Sequence, residues 1–163
     1  MLFWSFVSFG QDQKGFRTSL SYDVKMKAVG PYETSETGEW NFLYRFGYLH
    51  KHIEYQFFLE NFNAISYGAI GVGVNYLFFI EDSKKRFNRW EIGAGPGVGI
   101  IVRRELGVEE PFFELNGDFR YFFSKKWGVS VLGNLKHRSD LVERYNEEDP
   151  WRLSGFAGVM FRW

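Results

Sequence analysis

From Phe16 onward the chain alternates apolar and polar residues with a period of two, in eight stretches separated by polar or glycine-bearing breaks. A period of two is the signature of a strand with two unlike faces. The first stretch, about Phe16 to Ala28, sets Leu20, Tyr22, Val24 and Met26 against Ser19, Ser21, Asp23, Lys25 and Lys27. The second carries Trp40, Phe42, Tyr44, Phe46 and Tyr48 opposite Asn41, Arg45 and Gly47, and turns at His50-Lys51 into a third with Ile53, Tyr55, Phe57 and Leu59 opposite Glu54, Gln56 and Glu60. The fourth places Ile70, Val72, Val74, Tyr76 and Phe78 against Ala69, Gly71, Gly73 and Asn75. In the fifth, Trp90, Ile92, Ala94, Val98 and Ile100 face away from Glu91, Gly93, Gly95, Gly97 and Gly99. The sixth opposes Phe113, Leu115, Phe119, Tyr121 and Phe123 to Glu114, Asn116, Asp118 and Arg120; the seventh opposes Trp127, Val129, Val131 and Leu135 to Ser130, Asn134 and Lys136. The eighth sets Leu153, Ala157, Val159, Phe161 and Trp163 against Ser154, Gly158 and Arg162.

In all eight stretches the phase that collects aromatic rings excludes charge, while the other phase collects charge and glycine. A sheet closed on itself with apolar side chains outward and polar ones inward has this pattern. A soluble ligand-carrying barrel would show the inverse arrangement. The pattern predicts an all-β fold, an eight-stranded antiparallel up-and-down transmembrane β-barrel over residues 15–163. An even number of strands puts both ends of the barrel segment on one side. The long connections Gly30 to Gly38 and His137 to Pro150 then fall on the other side, and the tight turns at His50-Lys51 and Ser124 to Lys126 on the first. The segments Asn61 to Ala64, Glu81 to Arg86 and Arg103 to Glu110 are read as the remaining connections. Trp40, Tyr48, Trp90, Trp127 and Trp163 fall near strand ends, where amphipathic rings sit between hydrocarbon and water.

Composition agrees and removes several functions. Aromatic residues make up 21% of the 163 residues, an excess that is awkward unless many rings face something other than water. Lys+Arg and Asp+Glu number 20 each, so no net field draws nucleic acid. No run reaches the roughly 18 apolar residues of a membrane helix. Without cysteine, disulfides, thiolate metal sites and thiol nucleophiles are excluded. The three histidines, His50, His52 and His137, form no ligand set, so neither a metal nor a cofactor is expected. The apolar segment at residues 1–10, with polar Gln11 to Lys14 after it, reads as the core of a truncated secretory signal without its basic leader, cleaved near Gly10 or Gln11, with an apolar arm as the alternative.

The stretch after Gly15 resembles the small eight-stranded outer-membrane β-barrel proteins of Gram-negative bacteria, the group of outer-membrane protein A and X domains. The ending Phe161-Arg162-Trp163 resembles the signal that the barrel-assembly machinery reads in that group. The Ser-Phe-Gly-Gln segment at 8–11 and Glu-Ile-Gly-Ala-Gly at 91–95 are similar to small barrels of Bacteroidetes. The resemblance implies a place in the bacterial outer membrane among lipid and lipopolysaccharide, as a monomer, with the assembly machinery as a partner through the last strand.

The inward phase carries Arg17, Asp23, Lys25, Lys27, Arg45, Glu54, Glu60, Glu91, Glu114, Asp118, Arg120, Lys136 and Arg162. Eight strands enclose only enough room for side chains, so these charges are expected to pair into a plug rather than line a pore, for example Glu114 or Asp118 with Lys136. The inward glycines at 71, 73, 93, 95, 97 and 99 have the wrong period for a phosphate-binding turn. They are expected to make room for Phe58, Phe79, Phe122 or Phe156, with a small hydrophobic-ligand cavity as the alternative. Pro96 removes a ladder hydrogen bond and predicts a bulge or kink.

One catalytic candidate stands out. His137-Arg138-Ser139 resembles the His-x-Ser pair of outer-membrane lipid A deacylases, themselves eight-stranded barrels, and shares the outward phase at the end of the seventh stretch. A serine nucleophile needs a base within reach and an acid to orient that base; Glu143, Glu147 or Glu148 could supply the acid. The resemblance departs where Asp140 stands in place of the family's Asn. Three functions follow in order: a non-enzymatic barrel presenting outer loops to a partner or surface, a lipid-modifying hydrolase using His137 and Ser139, and a carrier of a hydrophobic ligand.

Overall fold

A computed structural model describes residues 14–24, 40–62, 66–80, 90–103, 108–146 and 148–163. Eight strands follow one another: β1 (Lys14–Asp23), β2 (Asn41–His50), β3 (Ile53–Phe62), β4 (Tyr67–Ile80), β5 (Trp90–Arg103), β6 (Val108–Phe122), β7 (Trp127–Arg138) and β8 (Trp151–Arg162), with a helix α1 (Ser139–Tyr145) between the last two. Each strand pairs antiparallel with the next, and β8 returns to β1, so the sheet is a closed eight-stranded barrel. Among the described residues no helix is long and apolar enough to cross a membrane.

The alternation in sequence becomes alternation in space. Along β2 buried and more open residues alternate at every step: Asn41, Leu43, Arg45, Gly47 and Leu49 point to the axis, and Phe42, Tyr44, Phe46, Tyr48 and His50 point away. Phe42, Val74 and Phe119 are 36%, 42% and 44% exposed on the outer face. Leaving such a belt in water would forfeit about 25 cal/mol for each Å² of apolar surface. Against hydrocarbon it costs nothing.

The end of the barrel that carries Lys14 and Trp163, the near end, is ringed by aromatic contacts. Phe16 stacks on Phe46 at 5.6 Å and on Trp163 at 6.0 Å, and Phe161 joins Trp163 at 5.5 Å to Trp127 at 4.9 Å. The same rings fasten the β8–β1 seam, where the Trp163 amide donates to the Phe16 carbonyl at 3.2 Å. Gly15 is required at this seam, because a Cβ there would lie 2.6 Å from the Trp163 carbonyl oxygen. At the β6–β7 turn the Ser124 hydroxyl accepts from the amides of Lys126 at 3.2 Å and Trp127 at 2.8 Å, a serine turn that needs no glycine. At the opposite, far end Tyr22 meets Trp40 at 5.2 Å.

Several boundaries differ from the sequence reading, each for a local reason. β1 is Lys14–Asp23; the part of the first stretch from Lys25 to Ala28 lies outside the described residues, as do residues 1–13, 30–38 and 81–89. Of the connection read at Arg103 to Glu110, Arg103 and Val108 to Glu110 are strand, because the ladder continues to the pair Arg103–Val108; residues 104–107 lie outside the described residues. The His137 to Pro150 connection is not all loop: β7 runs to Arg138, and α1 follows because Asp140 and Leu141 are both drawn into the barrel mouth, 0% and 1% exposed. Pro96 brings no bulge. The β4–β5 register is the same on both sides of it, and the paired ladder is interrupted only where Val74 and Asn75 face Gly95 and Pro96.

Candidate functional site

The lumen is where chemistry-bearing side chains converge, and the strands deliver them in layers. In the near half, Glu54 follows the tight β2–β3 turn and meets Arg120 of β6 in a two-pronged contact, with the guanidinium donating at 3.0 and 2.6 Å. Arg120 donates twice more to Asp118, also at 3.0 and 2.6 Å. Glu91 accepts from Arg17 and, at 2.9 Å, from Arg162, whose guanidinium lies 3.8 Å over the Phe122 ring. Gln56 donates to Glu54 at 2.5 Å. Six charged residues from five strands thus form one ionic knot, in which fork-shaped guanidiniums match flat carboxylates. Removing one member of such a buried set costs about 3–5 kcal/mol, because its partners are left charged and dry.

The inward glycines seat this layer. A Cβ at Gly47 would come within 3.0 Å of the Glu54 carboxylate, one at Gly97 within 3.0 Å of Glu114 Cγ, and one at Gly93 would collide with Asp118. The rings expected over the glycines are there in part: Phe58 covers Gly71, and Phe112 covers Gly99. Phe122 instead packs on Gly128, Phe79 sits with Leu49 and Leu77, and Phe156 joins the apolar cluster of the far half. Carboxylates need the room as much as rings do.

The far half is more apolar than the sequence suggested. Leu43, Phe58, Phe62, Ile101, Leu132 and Phe156 pack there around a second ion pair, Lys136 with Glu60 at 2.5 Å. Lys136 lies 3.6 Å from Glu114 and donates to the Tyr67 hydroxyl at 3.1 Å. Asn41 donates to Glu60 and Asn134 to Glu114, at 3.0 and 3.2 Å. Between the layers Arg45 stands 3.8 Å from both Glu114 and Asp118, and Asn75 reaches across β5 to donate to Asn116 at 2.8 Å. All eight lumen residues singled out in the sequence (Arg45, Glu54, Glu91, Glu114, Asp118, Arg120, Lys136 and Arg162) face this interior. Lys136 pairs with Glu60 first and with Glu114 second, while Asp118 goes to Arg120.

The mouth holds a contact that the sequence reading missed. Asp140 of α1 accepts from Arg103 at 3.0 and 3.2 Å and from Arg138 at 2.5 and 3.0 Å. Burial pushes the Asp140 carboxyl up, but the hydrogen bonds and charge of Arg138 and Arg103 outweigh it and hold the group below the usual carboxylate range. Parity was the signal for Arg103: the period that places Glu91 inward continues through Ile101 to Arg103.

His137 and Ser139 are turned to other partners. The His137 ring meets Trp151 edge-on at 5.1 Å. Ser139 opens α1 rather than continuing the outward phase of β7, and its hydroxyl donates to the Pro111 carbonyl at 2.6 Å. A hydroxyl has one proton to donate, so it is not directed to an imidazole. The Glu143 side chain and all of Glu147 lie outside the described residues; Glu148 is exposed. No group of three or more metal-binding side chains occurs among the described residues.

No protein-family model matches the chain, and no curated protein is similar to it in sequence. Solved structures do match its shape. A de novo designed transmembrane β-barrel superposes with a TM-score of 0.56 at 10% identity, covering 94% of this chain and all of the other, 100%. Neisserial surface protein A superposes with a TM-score of 0.52 at 7% identity, covering 92% of this chain and 97% of the other. The fold is that of an eight-stranded transmembrane barrel.

Proposed function

We propose that the chain is a non-enzymatic outer-membrane barrel, of the small Bacteroidetes type, with a lumen plugged by its own salt bridges. It presents its far-end connections, including α1, to a partner or surface. Lipid and lipopolysaccharide surround the aromatic belt, the assembly machinery takes the strand ending in Trp163, and the barrel works as a monomer. One observation carries the closed-lumen reading: the ionic knot joins β1, β3, β5, β6 and β8 across the axis, beside a partly open pocket of about 20 Å³. That is room for a water molecule, not for a hydrated ion or a hydrophobic ligand. At Gly95, where a carrier would need space, even a Cβ would lie 2.7 Å from the Asn75 amide oxygen.

The test is twofold. Protein refolded into detergent should migrate differently before and after boiling, and the unboiled form should give no stepwise conductance in a planar bilayer. Identical mobility would remove the closed barrel; stable open steps would remove the plug.

A further inference from the structure

Arg45 is 7% exposed, yet its Nε and Nη2 are buried without a hydrogen-bond partner among the described residues. Its carboxylate neighbours, Glu114 and Asp118, stand 3.8 Å away, beyond hydrogen-bond reach, and the Phe58 ring lies at 5.9 Å. A buried guanidinium held only by distant charge is a costly arrangement. Gln56 is in a related position: its amide nitrogen donates to Glu54, while its amide oxygen is buried without a partner among the described residues. These two residues line one partly open pocket in the lumen, of about 20 Å³, together with Asp118, Arg120, Ser19 and Ser130. A space of roughly 10–15 Å³ on this measure holds one water, provided it finds two to four polar partners.

We infer that the middle of the lumen is a binding site for a single buried water, which accepts from the Arg45 guanidinium and donates to Gln56 Oε1 and the Asp118 carboxylate. The lining selects this ligand by charge as well as size. An anion would face the carboxylates of Glu54 and Asp118, and a metal cation would face the guanidiniums of Arg17, Arg45 and Arg120. Only a neutral group that both donates and accepts suits both sets. The water joins the ionic knot to the far-half ion pair through Arg45, and so goes beyond a plug made of direct salt bridges alone. It also explains why Arg45 can sit between two acids without gripping either: polar groups more than 3.5 Å apart are commonly joined through such a bridge.

A crystal structure of the refolded barrel, at a resolution that shows ordered solvent, tests the site. The expected result is a solvent peak within hydrogen-bond distance of Arg45, Gln56 Oε1 and Asp118. Direct bonding of the Arg45 guanidinium to Asp118 or Glu114, with no such peak, overturns the inference. A second measurement is independent of the crystal: in nanodiscs, the Arg45 Nε proton should show a cross-peak to a long-lived water by nuclear magnetic resonance, and its absence overturns the site equally. Gln56→Leu, verified as folded by its heat-sensitive gel mobility, should lose the crystallographic peak; a peak unchanged in place would also overturn the assignment.

Discussion

Arg120 and Arg45 lie in the same lumen, 2% and 7% exposed, and the barrel treats them in opposite ways. Arg120 makes four hydrogen bonds to two carboxylates, each between 2.6 and 3.0 Å. The Arg45 guanidinium makes none to the described residues, with its nearest acids among them at 3.8 Å. Burial and nearby opposite charge are common to both. What differs is contact geometry, and geometry decides whether a desolvated charge is compensated. Three of the acids that serve these arginines lie over glycines: Glu54 on Gly47, Asp118 on Gly93 and Glu114 on Gly97. The small inward residues are therefore part of the electrostatics.

Removing Arg120 should break the comparison most severely. Arg120→Met keeps the length of the side chain and leaves Asp118 with the distant Arg45 as its cation among the described residues, and Glu54 with Gln56 and the 3.9 Å contact to Arg17. The expected loss is about 3–5 kcal/mol of unfolding free energy, read from urea titration of the refolded barrel in lipid. A loss below about 1 kcal/mol would mean that the fork contact adds nothing beyond charge proximity.

Arg45→Met should behave in the contrary manner. Glu114 keeps Asn134 at 3.2 Å and Lys136 at 3.6 Å, and Asp118 keeps Arg120 at 2.6 Å, so no acid is stranded. Replacing a poorly paired buried charge by an apolar side chain is commonly neutral or stabilising, here by about 0–2 kcal/mol. The same titration reads it. A loss as large as that from Arg120→Met would show that Arg45 is held by contacts stronger than its distances imply.

The two arginines also mark how far the sequence could be read. Both were placed inward by parity alone, because a period of two leaves no freedom once one face must be apolar. Parity could not say which acid each would choose. The partners of Arg120 are Asp118, two residues away along its own strand, and Glu54, 66 positions away. That second choice depends on the stagger of a closed sheet, in which β3 and β6 face each other across the axis. The apolar far half was hidden for a related reason: Leu43, Ile101 and Leu132 share the polar phase and were outvoted by neighbouring charges. The helix α1 escaped because a seven-residue helix is stabilised by docking rather than by its own propensity, and a run of acids looks like solvated loop.

Asp140 extends the comparison to the edge of the lumen, where the smallest effect is expected. It is gripped by Arg103 and Arg138 as tightly as Asp118 is gripped by Arg120, but it anchors only α1. Its carboxyl titrates below the usual range, so the contact is fully present above the unfolded value of about 3.9 and is lost as the pH falls through the lower folded value. Groups facing it from other strands are Arg103 on β5 and Arg138 on β7, with Tyr67 beneath them at 5.4 and 4.7 Å. None of these changes charge as a carboxylate does at acid pH, though Glu60, deeper on β3, does. Asp140→Asn separates the two. In the native chain, amide exchange in α1 should quicken below about pH 4 while the barrel strands stay protected. In Asp140→Asn the helix should already exchange fast at neutral pH, by about tenfold for a loss near 1.4 kcal/mol, and should show no further acid step. If the acid step persists in the variant, the titrating anchor is Glu60, and the grip of the two arginines on Asp140 is not what holds the helix in the mouth.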